Sequence, residues 1–492
     1  MTHTSQELAT FCKQKGFIYR SSEIYGGLAG FYDYGHLGTS LKHNFQNAWR
    51  GYFLSLHDNF HEIEGSEIMH ENVFKASGHL ENFVDPITKC SECQVNYRAD
   101  HLIEGAIKKR VEGLSPEQLS NLIEEHKIKC PHCKSDLMPV EVMNMMFPVQ
   151  LGVDGSQRAY LRPETAQSPF VNFKLQFELL RKKIPMGLAM VGRAYRNEIS
   201  PRSLTLRQRA FTQAELQIFF NPSKVNEHPD FEKVKNYPLQ VMLQEDRESN
   251  MVVERSVTEL VERGLPKFYV YHLAVIQKFY LEVLKIPKEK FRFYELDDKE
   301  KAFYNKNHFD IEIDLNSQGF TEMGGLHYRT DHDLKGHQEV SKEKMEVVDE
   351  TTGEKFIPHV LELSFGVDRN VYALLDLNYH KDEQRGNDVL ALPSEFTPFY
   401  CAVFPLVKNK DNVVGKAHEV YDLVRKEFSC FYDQTASVGR RYARADENGT
   451  KYCITIDFET LEDESVTVRD RDTTEQKRIK IKELLHYLRE NK

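Results

Sequence analysis

The sequence predicts an α+β protein: an antiparallel sheet flanked by helices, carrying two inserts, followed by a compact C-terminal α/β domain. Three observations predict it. The stretch from Gly192 to Phe219 alternates in strand fashion on both sides of Ser200-Pro201, which reads as a long β-hairpin. Beyond about residue 390 the pattern changes to alternating strands and helices. Two Cys-x2-Cys pairs, Cys90/Cys93 and Cys130/Cys133, bracket a polar segment that interrupts the first part. The expected organisation is a first domain over 1–385, with inserts at 85–140 and 222–300, and a second over 390–492.

The elements follow in order. Residues 5–16 read as a helix and 24–40 as a Gly- and Tyr-rich structured loop. Helical periodicity resumes at 40–57 around the single tryptophan, Trp49. Residues 60–72 read as a strand. The insert has a helical middle, strands return at 142–161, and a helix at 165–182 follows Pro163. After the hairpin, 222–300 is charged and reads as mostly helical. Strands are expected at 308–329 and 355–366, a helix from about Asp368 to Asp376, and a charged linker at His380–Asn387. In the tail, Cys401–Val407, Lys451–Phe458 and Val466–Thr473 read as strands, and Gly415–Ser429 and Ile479–Asn491 as helices.

Composition bounds the function. The 492 residues suffice for about three domains. A share of 40% apolar residues supports sizeable cores. No run of about 18 uncharged apolar residues occurs, which excludes a membrane-spanning helix. The N-terminal stretch lacks a signal-peptide core, so the cysteines are expected to be reduced and the location cytoplasmic. A net charge of −10 argues against a sequence-blind DNA coater. It leaves room for local basic patches that dock one structured RNA.

Five segments carry chemistry. The hairpin holds Arg193, Arg196, Arg202, Arg207 and Arg209 with Phe211, Glu198 and Glu215. Guanidinium forks pair with phosphate oxygens and an aromatic face stacks on a base, so it suits a triphosphate nucleotide; taken alone it also reads as a solvated basic surface. The four paired cysteines complete a tetrahedral thiolate set with no open position, which points to structural zinc held by Cys90, Cys93, Cys130 and Cys133. Leu161–Gln167 places Glu164 at a strand–helix junction, with Thr165 able to cap the helix. Leu361–Arg369 puts Glu362 and Ser364 on one face of a strand and Arg369 in the first turn of a helix, where a phosphate is favoured. In Phe320–Leu334, Glu322 precedes Gly324-Gly325; it reads either as a magnesium ligand or as a turn residue.

Together these segments resemble the class II glycyl-tRNA synthetases of the dimeric type along nearly the whole chain. Tyr25–Gly35 looks like the family's dimer-forming first motif, Arg162–Gln167 its amino-acid loop, Tyr195–Phe220 its second motif and Glu362–Arg369 its third. Val438–Glu447 and Val466–Arg471 match its anticodon-binding domain, and the cysteine insert resembles bacterial members. The resemblance implies the class II synthetase fold and an ATP-dependent ligation of glycine to the 3′ end of tRNA(Gly) through glycyl-adenylate. It implies ATP and Mg²⁺ as well as Zn²⁺, and a homodimer. By the same resemblance Arg196 contacts the α-phosphate and the glycine carboxylate, Glu198 reads the adenine amino group and Phe211 stacks on the ring. Arg207 and Arg369 hold the γ-phosphate side, and Glu322 helps hold Mg²⁺. Glu164, Glu215 and Glu362 surround the glycine ammonium while Ser364 crowds its α-carbon. Six residues depart from the family pattern: His36, Ser168, Ala210, Gln217, Leu363 and Lys451. Two other readings are a synthetase-like accessory protein without catalysis and a class II synthetase for another small amino acid. The retained arginines and the three carboxylates with Ser364 argue against both.

Overall fold

The computed structural model describes residues 3–109, 111, 113–153, 155–201, 203–249, 251–302, 304–349 and 352–492. Arg202 of the hairpin lies outside the described residues.

Nine strands form the central sheet: β1 Phe60–Glu62, β2 Met186–Tyr195, β3 Ala210–Phe220, β4 Pro238–Met242, β5 Val253–Ser256, β6 Phe291–Glu295, β7 Asn307–Leu315, β8 Gly319–Thr330 and β9 His359–Gly366. Their order is β5-β4-β6-β7-β8-β9-β3-β2-β1. The sheet is antiparallel except for the pairs β1/β2 and β4/β6. The Gly192–Phe219 hairpin is therefore present as β2/β3, with Tyr195 opposite Ala210 and a long connecting loop in place of a tight turn.

Four helices of this part matter most: α1 Ser5–Lys15, α2 His36–Phe53, α3 Gln167–Leu179 and α4 Lys267–Lys278. In α2 every fourth residue from Leu37 to Phe53 is buried, Trp49 among them. This apolar stripe packs under the sheet, where Trp49 and Phe53 meet Phe365 with ring centroids 6.0 and 4.8 Å apart. Nearly every residue of α4 is buried. The helix α5, Val367–Asn378, leaves β9 directly and runs beneath β3.

Several expectations change. Helix α2 starts at His36, not at residue 40, because the glycine-rich segment ends at Gly35 in extended conformation. Residues 60–72 are two short strands, Phe60–Glu62 and Ile68–His70, running into a helix at Glu71. The mostly helical segment 222–300 contributes α4 and a short helix, but also β4, β5 and β6, which extend the central sheet. His380–Asn387 is not a free linker. It is the tip of a hairpin, Tyr379–Asp382 with Asn387–Leu390, whose Arg385 pairs with Asp446 of the C-terminal domain at 3.2 Å.

The C-terminal domain is a mixed five-stranded sheet, as the strand–helix alternation predicts. Its strands are β10 Cys401–Pro405, β11 Cys430–Tyr432, β12 Tyr452–Ile456, β13 Ser465–Asp470 and β14 Gln476–Lys480, in the order β11-β10-β12-β13-β14. Helices α6 Asp411–Val424, α7 Val438–Glu447 and α8 Ile481–Glu490 accompany it around a separate apolar core. Lys451 is held by Asp470 and Asp472, each at 2.8 Å. Among the described residues no helix is long and apolar enough to cross a membrane.

Candidate active site

The middle of the central sheet forms the floor of a cavity of about 320 Å³. Strand register explains how distant residues meet there. Glu215 on β3 lies opposite Ser364 on β9, and Gly325 on β8 lies opposite Ser364 from the other side. Glu362 lies opposite Gln217 and His327. The period of two in strands sends Glu362 and Ser364 to one face, as expected. Gly324 is demanded by packing: a Cβ there would sit 2.2 Å from the Ser364 carbonyl oxygen.

At one end of the cavity three carboxylates converge. Glu164, Glu215 and Glu362 are all buried. The sequence reading missed the cation that holds two of them. Arg329, 2% exposed, donates to Glu362 at 2.5 Å, lies 3.5 Å from Glu164, and forms a fork with Asp333 at 2.8 and 2.9 Å. Burial opposes ionisation of Glu164, yet Arg329 and His79 hold its carboxyl well below the usual range. Burial likewise raises Glu362, but Arg329 and His327 outweigh it and the net direction is down. Glu215 behaves differently. Burial, then the charges of Glu362 and Glu164, push it up to about 8. Its partners are Thr165 Oγ1 at 2.6 Å, Ser364 Oγ at 2.7 Å and Gln213 Nε2 at 2.9 Å. Thr165 thus does not cap α3, whose N-cap is Ala166; its hydroxyl is turned to Glu215 instead.

At the other end lie the arginines. Arg196, just past β2, donates from Nε to the Pro163 carbonyl at 3.0 Å, and its guanidinium lies over the rings of Phe211 and Phe83 at 5.2 and 5.3 Å. Arg207 pairs with Glu198 at 2.8 Å, and Arg369 with Glu322 at 3.0 Å. Glu322 is not a turn residue: it sits within β8 opposite Glu312, beside a bulge at Met323 of the same strand. Its side chain is half exposed, and although burial opposes ionisation, Arg369 keeps its carboxyl below the usual range. Arg369 is the third residue of α5, as expected. Its neighbour Asp368 braces the hairpin, accepting from the Thr212 backbone N–H and from Lys42 Nζ at 2.5 and 2.8 Å. All ten predicted amino-acid and nucleotide residues line this one cavity.

Four of the six departures have a visible setting here. Ser168 is buried with its hydroxyl against Gly65, where any Cβ would come within 2.5 Å of Oγ. Gln217 is fully buried opposite Glu362 on the neighbouring strand, with no amide partner among the described residues. Leu363 points into the core, and Ala210 opens β3. The last two leave the cavity lining unchanged.

The cysteines meet as well. The four Sγ atoms of Cys90, Cys93, Cys130 and Cys133 lie within 4.8 Å of one another. The Cys90–Cys133 and Cys93–Cys130 sulfurs are 3.3 and 3.6 Å apart, close to the roughly 3.8 Å edge of a tetrahedral zinc–thiolate site and far too long for a disulfide. The donor set therefore fits a zinc ion. The knuckle is held by two helices, Ala99–Ile107 and Pro116–Glu125, and a three-stranded sheet that includes Val84–Lys89.

Comparison with known proteins decides the family. Residues 149–378 match the tRNA synthetase class II core domain (G, H, P, S and T), and residues 400–491 match an anticodon binding domain. Glycine--tRNA ligase of Pyrococcus horikoshii is 39% identical, over 98% of both chains. The chain belongs to the class II glycyl-tRNA synthetases. The ligases of Thermococcus sibiricus and Aeropyrum pernix are 38% and 36% identical, covering 100% and 98% of this synthetase and 99% and 96% of their own chains. These relatives are archaeal, so they add nothing to the likeness between the cysteine insert and bacterial members.

Proposed function

We propose that this synthetase condenses glycine with ATP to glycyl-adenylate and pyrophosphate, then transfers the glycyl group to the 3′ end of tRNA(Gly). The observation that supports it best is the charge of the deep end of the cavity. Three buried carboxylates line it together with Ser364, which donates to Glu215 and which we assign to crowding the amino acid's α-carbon. Glycine offers no side chain to grip, so selectivity must come from its ammonium and from excluding anything larger than hydrogen at Cα.

The roles follow from position. Glu164, Glu215 and Glu362 receive the ammonium. Arg196, between the two ends, meets the glycine carboxylate and the α-phosphate, where charge builds as the carboxylate attacks in line. Phe211, now covered by that guanidinium, stacks on adenine, and Glu198 accepts from its amino group. Arg207 and Arg369 turn from their carboxylate partners to the outer phosphates. Glu322, a half-exposed carboxylate lining the cavity beside partly buried Asp310, fits a hard cation; Mg²⁺ held there would supply neutralising charge to the triphosphate. The four thiolates hold a structural zinc.

Dimerisation belongs to the same reading. Tyr25 and Leu28 of the first motif, and Ile24 just before it, are strongly exposed, as are Leu175 and Leu179 on one face of α3. Such apolar surface suits a second copy. A single species of monomer mass in sedimentation at micromolar concentration would refute the dimer. The activity itself is tested by supplying the purified chain with ATP, glycine and a tRNA(Gly) transcript. Glycyl-tRNA is expected; adenylate without charging of that transcript would refute the transfer half.

A further inference from the structure

We propose that Glu215 of the free synthetase carries a proton, and that glycine binding expels this proton to solvent as the ammonium takes its place. The inference rests on the amino-acid reading of the cavity given above. Its basis is the uneven sharing of cations among the three carboxylates. Arg329 is bonded to Glu362 and lies close to Glu164, and it also carries Asp333. His327 adds a contact to Glu362 at 2.7 Å, and His79 one to Glu164 at 3.6 Å.

Glu215 receives none of these. Its three partners are neutral: two hydroxyls, on Thr165 and Ser364, and one amide, on Gln213. Both hydroxyls can turn to donate or to accept, so the same partners serve the acid and the carboxylate. The packed elements offer no cation either. Across β3, the residue opposite on β2 is Met190, and on β9 it is Ser364. Beyond Ser364, β8 presents Gly325. Arg162 is the remaining nearby cation; it acts on Glu215 only through space, because its hydrogen bonds go to the carbonyls of Arg193, Gly65 and Ser66.

Glu215 is thus a buried carboxyl beside two anions that already have their cation. Burial and these two charges raise it to about 8. Below that pH the free site holds the proton. The glycine ammonium is the missing cation; once seated it favours the carboxylate, and the proton leaves. The charge balances: a carboxylic acid and an ammonium become an ion pair, and one proton goes to the buffer.

The test is calorimetric titration of the full-length wild-type protein with glycine at pH 7 in buffers of different ionisation enthalpy. Beside it, the KM for glycine in pyrophosphate exchange is measured from pH 6 to 8. Roughly one proton released per glycine is expected, with KM falling about tenfold per pH unit until it levels near 8. Glu215→Gln should raise KM and flatten its pH dependence, whereas His327→Asn and His79→Asn should keep the slope. A buffer-independent enthalpy, or a slope that survives Glu215→Gln or vanishes with His327→Asn, overturns the proposal. Glycine binding without proton release overturns this inference alone. Absence of both glycine heat and glycine-dependent exchange overturns the functional reading with it.

Discussion

The two ends of the cavity are built on opposite principles. At the deep end the charged groups are buried and fixed by strand register, and Arg329 already pairs with Glu362 and lies beside Glu164 before any substrate arrives. At the outer end the arginines are partly exposed and each has a separate partner: Arg207 on Glu198, Arg369 on Glu322, Arg196 on two aromatic rings. The difference teaches where discrimination and where adjustment reside. A rigid, desolvated pocket can reject one extra methyl group. A nucleotide site whose arginines already sit on weaker partners can hand them to phosphates with little rearrangement elsewhere.

The sharpest way to break this comparison is at the junction of the two ends. Arg196→Ala should lower the rate of adenylate formation by roughly 10³-fold, the scale of losing a charge-stabilising donor, while the thermal midpoint moves little. Unchanged exchange kinetics in this variant would remove the proposed chemistry. Next in size is the hidden cation. Arg329→Met leaves Glu164, Glu362 and Asp333 buried without it, and should cost about 3–5 kcal/mol in chemical denaturation, as for other broken buried pairs. A loss below about 1 kcal/mol would mean the deep end is not pre-set by this residue.

Ser364→Gly removes the side chain proposed to crowd the glycine α-carbon. The preference for glycine over alanine in exchange should fall by about 10- to 200-fold, the worth of one methylene in a pocket; an unchanged ratio would place exclusion elsewhere. Phe211→Leu tests the outer end more gently. Loss of base stacking should raise the KM for ATP by roughly 2- to 13-fold and leave that for glycine unchanged. The zinc knuckle lies outside the comparison and should have the smallest effect on adenylate formation. Metal analysis should find about one zinc per chain, and Cys130→Ser should lose it while exchange persists.

Much of both ends was legible in the sequence, but not evenly. Glu164, Glu215, Glu362, Ser364 and two of the hairpin arginines, Arg196 and Arg207, sit in short motifs whose spacing fixes a face or a helix end, and all line the cavity. Arg329 lies in a segment whose Glu322 was recognised, yet its role depends on residues from two other parts of the chain. A local signal did exist: an arginine at the end of an alternating strand, with an aspartate four residues on across the strand–helix junction. Strands β4 to β6 were obscured for a similar reason. Pro238–Met242, Val253–Ser256 and Phe291–Glu295 are short and flanked by charges, and only their pairing with one another, and of β6 with β7, identifies them as sheet. The hairpin tip at Glu383–Gly386 read as a linker because its polar side chains face solvent and the C-terminal domain, not the core.

The most direct test of the central claim is amino-acid-dependent pyrophosphate exchange with ATP and, in turn, glycine, alanine, serine and proline. The deep pocket with Ser364 at its wall predicts exchange with glycine alone. Exchange with alanine, serine or proline in its place would contradict the glycine assignment, and exchange with none would contradict the enzyme.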